Sequence, residues 1–195
     1  MNFNNFTIKS QEAVQEAVNL VQSRGQQAIE PEHLMAGLLK VGENVTNFIF
    51  QKLGINGQQI ETVLDRQIAS LPKVSGGEAY LSRSANEVLQ KAVEISKELG
   101  DEYVSLEALL LALLNVKSTV ATILKDAGLT DKELRAAIQE LRQGQKVRHL
   151  SQQLFELARL EHGGIKPQRE RFAMAELISD VAQSGEPLRR AKRWQ

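Results

Sequence analysis

Tyr103-Val104-Ser105-Leu106-Glu107-Ala108-Leu109-Leu110-Leu111-Ala112-Leu113-Leu114 is a stretch in which, from Leu106 on, only Glu107 is polar. A helix built from it is apolar around most of its circumference, which suits the centre of a helical bundle rather than its surface. The same spacing occurs 75 residues upstream, in Ile29-Glu30-Pro31-Glu32-His33-Leu34-Met35-Ala36-Gly37-Leu38-Leu39. Ile29 falls on Val104, Glu32 on Glu107, Leu34 on Leu109 and Leu38-Leu39 on Leu113-Leu114.

The match extends outward in both directions. Upstream, Ala17-Val18 falls on Ala92-Val93, Leu20 on Ile95 and Gly25 on Gly100; downstream, after one residue of slippage, Ile49 falls on Ile123, Gly54 on Gly128 and Ile55 on Leu129. Internal repetition at this period fixes architecture before any single motif does. Two repeats, residues 6–70 and 80–143, are therefore expected, joined by a connector over 71–79 whose Pro72 and paired Gly76-Gly77 read as flexible.

Each repeat reads as four helices. Ala13, Val14, Ala17, Val18 and Val21 recur at steps of three and four, as do Val88, Leu89, Ala92 and Ile95, so each set forms one stripe of a helix. Gly25 and Gly100 close those helices, Ser105 caps the next one and Pro31 suits a first helical turn. Gly54 and Gly128 end a third helix, and Asn56 and Thr130 open a fourth. No β-branched alternation of strand length occurs. The expected fold class is all-α: two tandem four-helix repeats packed face to face as one pseudo-twofold domain, plus one or two C-terminal helices.

Composition narrows the chemistry. The 195 residues carry 24 Lys+Arg against 24 Asp+Glu, with 42% hydrophobic and 5% aromatic residues and no cysteine. Disulfides, thiol catalysis and cysteine-ligated metals are excluded, and zero net charge exerts no global pull on nucleic acid. No apolar run reaches the roughly 18 residues of a membrane span, and the N-terminus has no signal core. A cytoplasmic address and neither nucleic-acid nor membrane partners are expected. The charge is divided along the chain, with 14 basic and 18 acidic residues in 1–144 but 10 and 6 in 145–195. The basic terminal run Leu188-Arg189-Arg190-Ala191-Lys192-Arg193-Trp194 reads as a solvated terminus.

Catalytic motifs are not found. A nucleotide-binding loop needs Gly-x-x-x-x-Gly-Lys-[Ser/Thr], with backbone amides and a lysine around the phosphates. Gly37-Leu38-Leu39-Lys40-Val41-Gly42-Glu43-Asn44 has the glycine spacing but puts Glu43 where the lysine belongs. His33, His149 and His162 lie too far apart in sequence to suggest a ligand set, and His33 reads as a helix residue with a satisfied imidazole. No enzyme activity, cofactor or metal is expected.

Phe6-Thr7-Ile8-Lys9-Ser10-Gln11-Glu12-Ala13-Val14, with the two stretches quoted at the outset and the Gly54-Ile55 and Gly128-Leu129 elements, resembles the Clp amino-terminal repeat domain. The likeness covers residues 1–147 and is greatest to the ClpB type of disaggregase chaperone. The resemblance implies a substrate-recognition module at the rim of an ATP-driven threading ring, engaging unfolded or aggregated polypeptide, with an adaptor-docking domain, or a truncated or fused fragment without independent activity, as the alternatives. By position it implies polar contacts from Thr7, Asp101 and Glu107 and an apolar groove from Ile95 and Ala108, to which Leu89 of the stripe is added. Lys91, at a position that is apolar in relatives, implies a narrower or more basic groove. Read from the residues alone, Ile95 and Ala108 fit core packing equally, and Asp101 and Glu107 equally fit charges complementing a helix N-terminus. Without ring-forming parts, the chain is expected to be a monomer.

From Arg148 the character changes. Leu150, Leu154, Leu157, Ala158 and Leu160 form an amphipathic stripe ending at Gly163-Gly164, and a second apolar-patterned piece runs from Met174 to Val181. Residues 148–184 resemble the segment of sensor histidine kinases between the second dimerisation helix and the start of the ATP-binding domain. The phospho-acceptor motif and nucleotide-binding boxes of that family do not occur, so 148–195 is expected to be a helical tail without chemistry.

Overall fold

The computed structural model describes residues 2–146 and Leu154. The kinase-like segment and the helices expected after residue 150 lie outside the described residues, as does the basic terminal run. Among the described residues eight helices follow one another: α1 (Ile8–Ser23), α2 (Pro31–Val41), α3 (Glu43–Leu53), α4 (Gly57–Ala69), α5 (Arg83–Glu98), α6 (Leu106–Asn115), α7 (Thr119–Asp126) and α8 (131–146). Met1–Leu141 forms one compact unit, and residues from Arg142 onward fall to a second.

The local signals act as their chemistry requires. Thr7 Oγ1 accepts the Ser10 amide at 3.1 Å to start α1, and Ser82 Oγ accepts the Ala85 amide at 3.1 Å to start α5. Gly25 and Gly100, at φ 67° and 77°, turn the chain out of those helices. Asn56, Ser105 and Thr130 cap α4, α6 and α8, and Pro31 is the first residue of α2. The stretch Gly37 to Gly42 that mimics glycine spacing of a phosphate loop is helix α2 and its C-cap. Gly37 serves packing instead. A Cβ there would lie 2.2 Å from the carbonyl oxygen of Ala13, so its absence is what lets α1 and α2 cross backbone to backbone.

The repeats share one interior. α2 packs on α5, α6 and α7, α4 packs on α7, and α1 touches α6. A continuous apolar cluster runs through both repeats, and all of α6 from Ala108 to Leu114 is buried within it. The chain also makes a contact that no periodicity announces. The two-residue strands β1 (Ala28–Ile29) and β2 (Tyr80–Leu81) pair in parallel, Ile29 opposite Leu81, and an isolated parallel bridge joins Phe6 to Val104. Two residues are too few to display an alternating pattern.

The connector differs from its expected looseness. Val74 donates to the Gly25 carbonyl at 3.0 Å, Lys73 Nζ to the Arg24 carbonyl at 3.4 Å, and Gln27 Nε2 to the Glu78 carbonyl at 3.2 Å. Backbone groups that are satisfied by the α1–β1 turn hold this segment against the first repeat.

Candidate functional site

The Phe6–Val104 bridge brings two distant segments together. The Thr7 amide donates to the Val104 carbonyl at 3.0 Å, and the Val104 amide donates to the Asn5 carbonyl at 2.8 Å. Thr7, which opens α1, is thereby set beside the 101–107 segment, which runs from the end of α5 into the first turn of α6. Asp101 is fixed by its amide, which donates to the Ser96 carbonyl at 2.8 Å, and Glu107 stands in the first turn of the helix capped by Ser105. Thr7, Asp101 and Glu107 thus occupy one edge of the domain, although Thr7 stands about 100 residues from the other two in sequence.

That edge carries exposed apolar surface. Ile8 is 75% and Tyr103 49% exposed, flanking Thr7 and Val104 respectively. Beneath them Phe6 is buried, its ring meeting that of Phe3 edge-on at 5.0 Å. Ile8 and Tyr103 were not among the residues expected from sequence. The available signal was their position: Ile8 precedes the apolar stripe of α1 and Tyr103 stands in a loop, so neither has a place in a helix-packing pattern.

Leu89, Ile95 and Ala108 are placed differently from the groove expected of them. Each is 0% exposed, with no surface to offer a ligand. The cause is the helix beside them: α6, apolar on nearly every side, must be covered on nearly every side, and it packs against α5. Core packing, the other reading those residues admitted, is the one the structure has. Lys91 lies on α5 with its ammonium 3.6 Å from the Glu94 carboxylate.

A buried polar chain organises the first repeat. The Glu30 amide donates to His33 Nδ1 at 2.9 Å, leaving Nε2 as the protonated nitrogen, which donates to Gln26 Oε1 at 2.7 Å. Gln26 Nε2 in turn donates to the Ile68 carbonyl at 2.7 Å, so the end of α4 is tied to the turn before α2. The chain uses the neutral tautomer and has no place for a second ring proton. Burial, seconded by the nearby Arg24 guanidinium, pushes the His33 pKa down to about 4. Burial also raises the carboxyl of its neighbour Glu32, against the opposing pull of a backbone hydrogen bond. No group of three potential metal ligands occurs among the described residues, and none of their helices is by itself long and apolar enough to cross a membrane.

Residues 5–127 match the Clp repeat (R) N-terminal domain family. Over 147 residues, 75% of this chain, the sequence is 79% identical to the chaperone protein ClpB of Bacteroides thetaiotaomicron, whose length the match spans by 17%. In fold, the chain is similar to the crystal structure of the Hsp104 N-terminal domain from Candida albicans, with a TM-score of 0.63 at 23% identity over 71% of this chain and 92% of that one. It is likewise similar to a ClpV N-domain solved as a complex with VipB peptide, with a TM-score of 0.57 at 19% identity over 68% of this chain and 83% of that one. The chain therefore belongs to the Clp repeat N-terminal domain family, as a chaperone amino-terminal domain of the ClpB kind.

Proposed function

We propose that this domain is the client-recognition module of a ClpB-type disaggregase, holding exposed segments of unfolded or aggregated polypeptide at the edge formed by Thr7, Ile8, Asp101, Tyr103 and Glu107. The observation that carries the proposal is the Thr7–Val104 pairing, which sets two exposed apolar side chains among carboxylates and a helix cap. An unfolded client offers apolar side chains and unpaired backbone groups. A small edge of this kind holds such a client weakly and with little sequence preference, as a module that must pass its client onward requires. Leu89, Ile95 and Ala108 support the edge from inside rather than touching the client. ATP-driven threading is assigned to the parts of ClpB-type proteins that this chain does not span. That a domain of this fold has been solved with a bound peptide supports the reading.

The test is a nuclear magnetic resonance titration of the full chain with reduced, carboxymethylated α-lactalbumin as a permanently unfolded probe. Shifts are expected at residues 5–8 and 101–107, and Ile8→Ser with Tyr103→Ser is expected to weaken binding about fivefold or more. Absence of binding, or binding indifferent to that double substitution, would overturn the assignment.

A further inference from the structure

A second concavity lies in the first repeat, away from the edge just described. It is a trough of about 910 Å³ between α1 and α4, floored by α2. The α1 wall runs from Glu16 to Arg24 and the α4 wall from Gln58 to Ile68, which at 1.5 Å per residue is about 12 and 15 Å of helix. Half-buried Leu20 lines its α1 wall, half-buried Ala36 and Leu39 its floor, and buried Leu64 its α4 wall.

The rim is acidic. Its two cations are both engaged, Lys40 with Glu16 at 3.0 Å and Arg24 with Asp65 across the two walls. Glu43 and Glu61, both exposed, are left without a cationic partner among the described residues. Nucleic acid and anionic lipid are repelled by such a rim, whereas lysine or arginine side chains are attracted to it.

The duplication supplies an internal control. In the second repeat Leu111 replaces Ala36, Leu114 replaces Leu39 and Ile95 replaces Leu20, and all three are buried. The rim acids have no equivalent there either: Lys91 stands at the position of Glu16 and Arg135 at that of Glu61, each ion-paired, Lys91 with Glu94 and Arg135 with Glu98 and Asp131. The same four-helix fold therefore forms with this place filled and its rim charges paired, so packing alone does not require it to be open and acidic.

We propose that this trough docks a basic amphipathic helix of a partner protein, two to three turns long, with apolar residues one turn apart facing Leu20, Ala36 and Leu39 and with Lys or Arg facing Glu43 and Glu61. This is helix-in-groove recognition. It uses none of the client-edge residues, so an adaptor and a client have separate places on the domain.

The probe is a fluorescent 14-residue helical peptide of Leu and Lys in amphipathic spacing, paired with a twin in which Glu stands for every Lys. Titrated into the full chain, the Lys-bearing peptide is expected to bind in the micromolar range, to shift resonances of residues 16–24, 36–43 and 58–68, and to weaken as salt is raised. Glu43→Lys with Glu61→Lys, both on the surface, is expected to weaken it about tenfold. Ala36→Leu, which imports the residue of the second repeat, is expected to abolish binding with an unchanged circular dichroism spectrum. Equal binding of the twin, no binding of either peptide, wild-type affinity in both variants, or shifts confined to residues 5–8 and 101–107 would each overturn the proposal. The last result would leave the client-edge assignment standing.

Discussion

Phe6 and Val104 form a backbone bridge whose image under the 75-residue repeat is Leu81 with Ile29. The hydrogen bonds repeat too: the Thr7 amide donates to the Val104 carbonyl at 3.0 Å, and the Ser82 amide donates to the Ile29 carbonyl at 3.0 Å. Each repeat lends the residue before the N-cap of its first helix to the residue before the N-cap of the other repeat's second helix. The exchange is reciprocal, so neither repeat completes its backbone hydrogen bonding alone.

This latch, with the shared core, makes the two repeats one cooperative unit. Phe6→Ala is expected to cost about 3–5 kcal/mol, the range for truncating a buried aromatic. Urea unfolding followed by circular dichroism and by aromatic absorbance should still give coincident single transitions. Two separate transitions, one per repeat, would contradict the latch.

Gly37 should not tolerate even a methyl group. Alanine there gains about 1 kcal/mol in helix propensity, but its Cβ would meet the Ala13 carbonyl oxygen at 2.2 Å, where backbone faces backbone and nothing flexible can yield. Separation of α1 from α2 is expected to cost about 3 kcal/mol, leaving Gly37→Ala destabilised by about 2 kcal/mol. The urea midpoint checks this. A midpoint equal to or above that of the unaltered protein would show that the helices cross less closely.

His33 ties stability to pH with a definite sign. Its folded pKa of about 4 lies below the ordinary histidine value of 6.5, so the unfolded chain takes up a proton first as pH falls. The contribution is fully present above 6.5 and is lost progressively down to about 4, by about 3 kcal/mol in all. Glu32 acts in the opposite sense: its raised carboxyl pKa means that stability is regained as it protonates. The difference in unfolding free energy between the protein and His33→Gln, followed from pH 7 to 4, isolates the histidine. A carbon-detected titration of the His33 ring should give a midpoint near 4, and an ordinary midpoint would refute the buried chain.

Ile95 separates core from groove. Since it is 0% exposed, Ile95→Ala is expected to cost about 2–5 kcal/mol of stability and to leave the affinity of the folded protein for an unfolded client unchanged. Calorimetric unfolding and client binding on the same sample decide. Lost affinity at full stability would return Ile95 to the binding surface.

The residue pattern alone carried the architecture a long way, because duplication, helical stripes and caps are local or periodic. Ala13, Val14, Ala17 and Val21 mark one buried face whatever lies against it, and Thr7, Ser82 and Ser105 cap their helices through atoms three residues away. Tertiary structure decided what covers each face. The repeat sets Leu20 on Ile95, but only the assembled helices leave Leu20 lining a trough and bury Ile95 completely. The short pairs Phe6–Val104 and Ile29–Leu81 were likewise invisible, since a contact of one or two residues has no period, and they are what sets Thr7 beside Asp101 and Glu107. Helix identity is a property of near neighbours in the chain; a binding edge depends on which distant segments meet, and that is settled by packing.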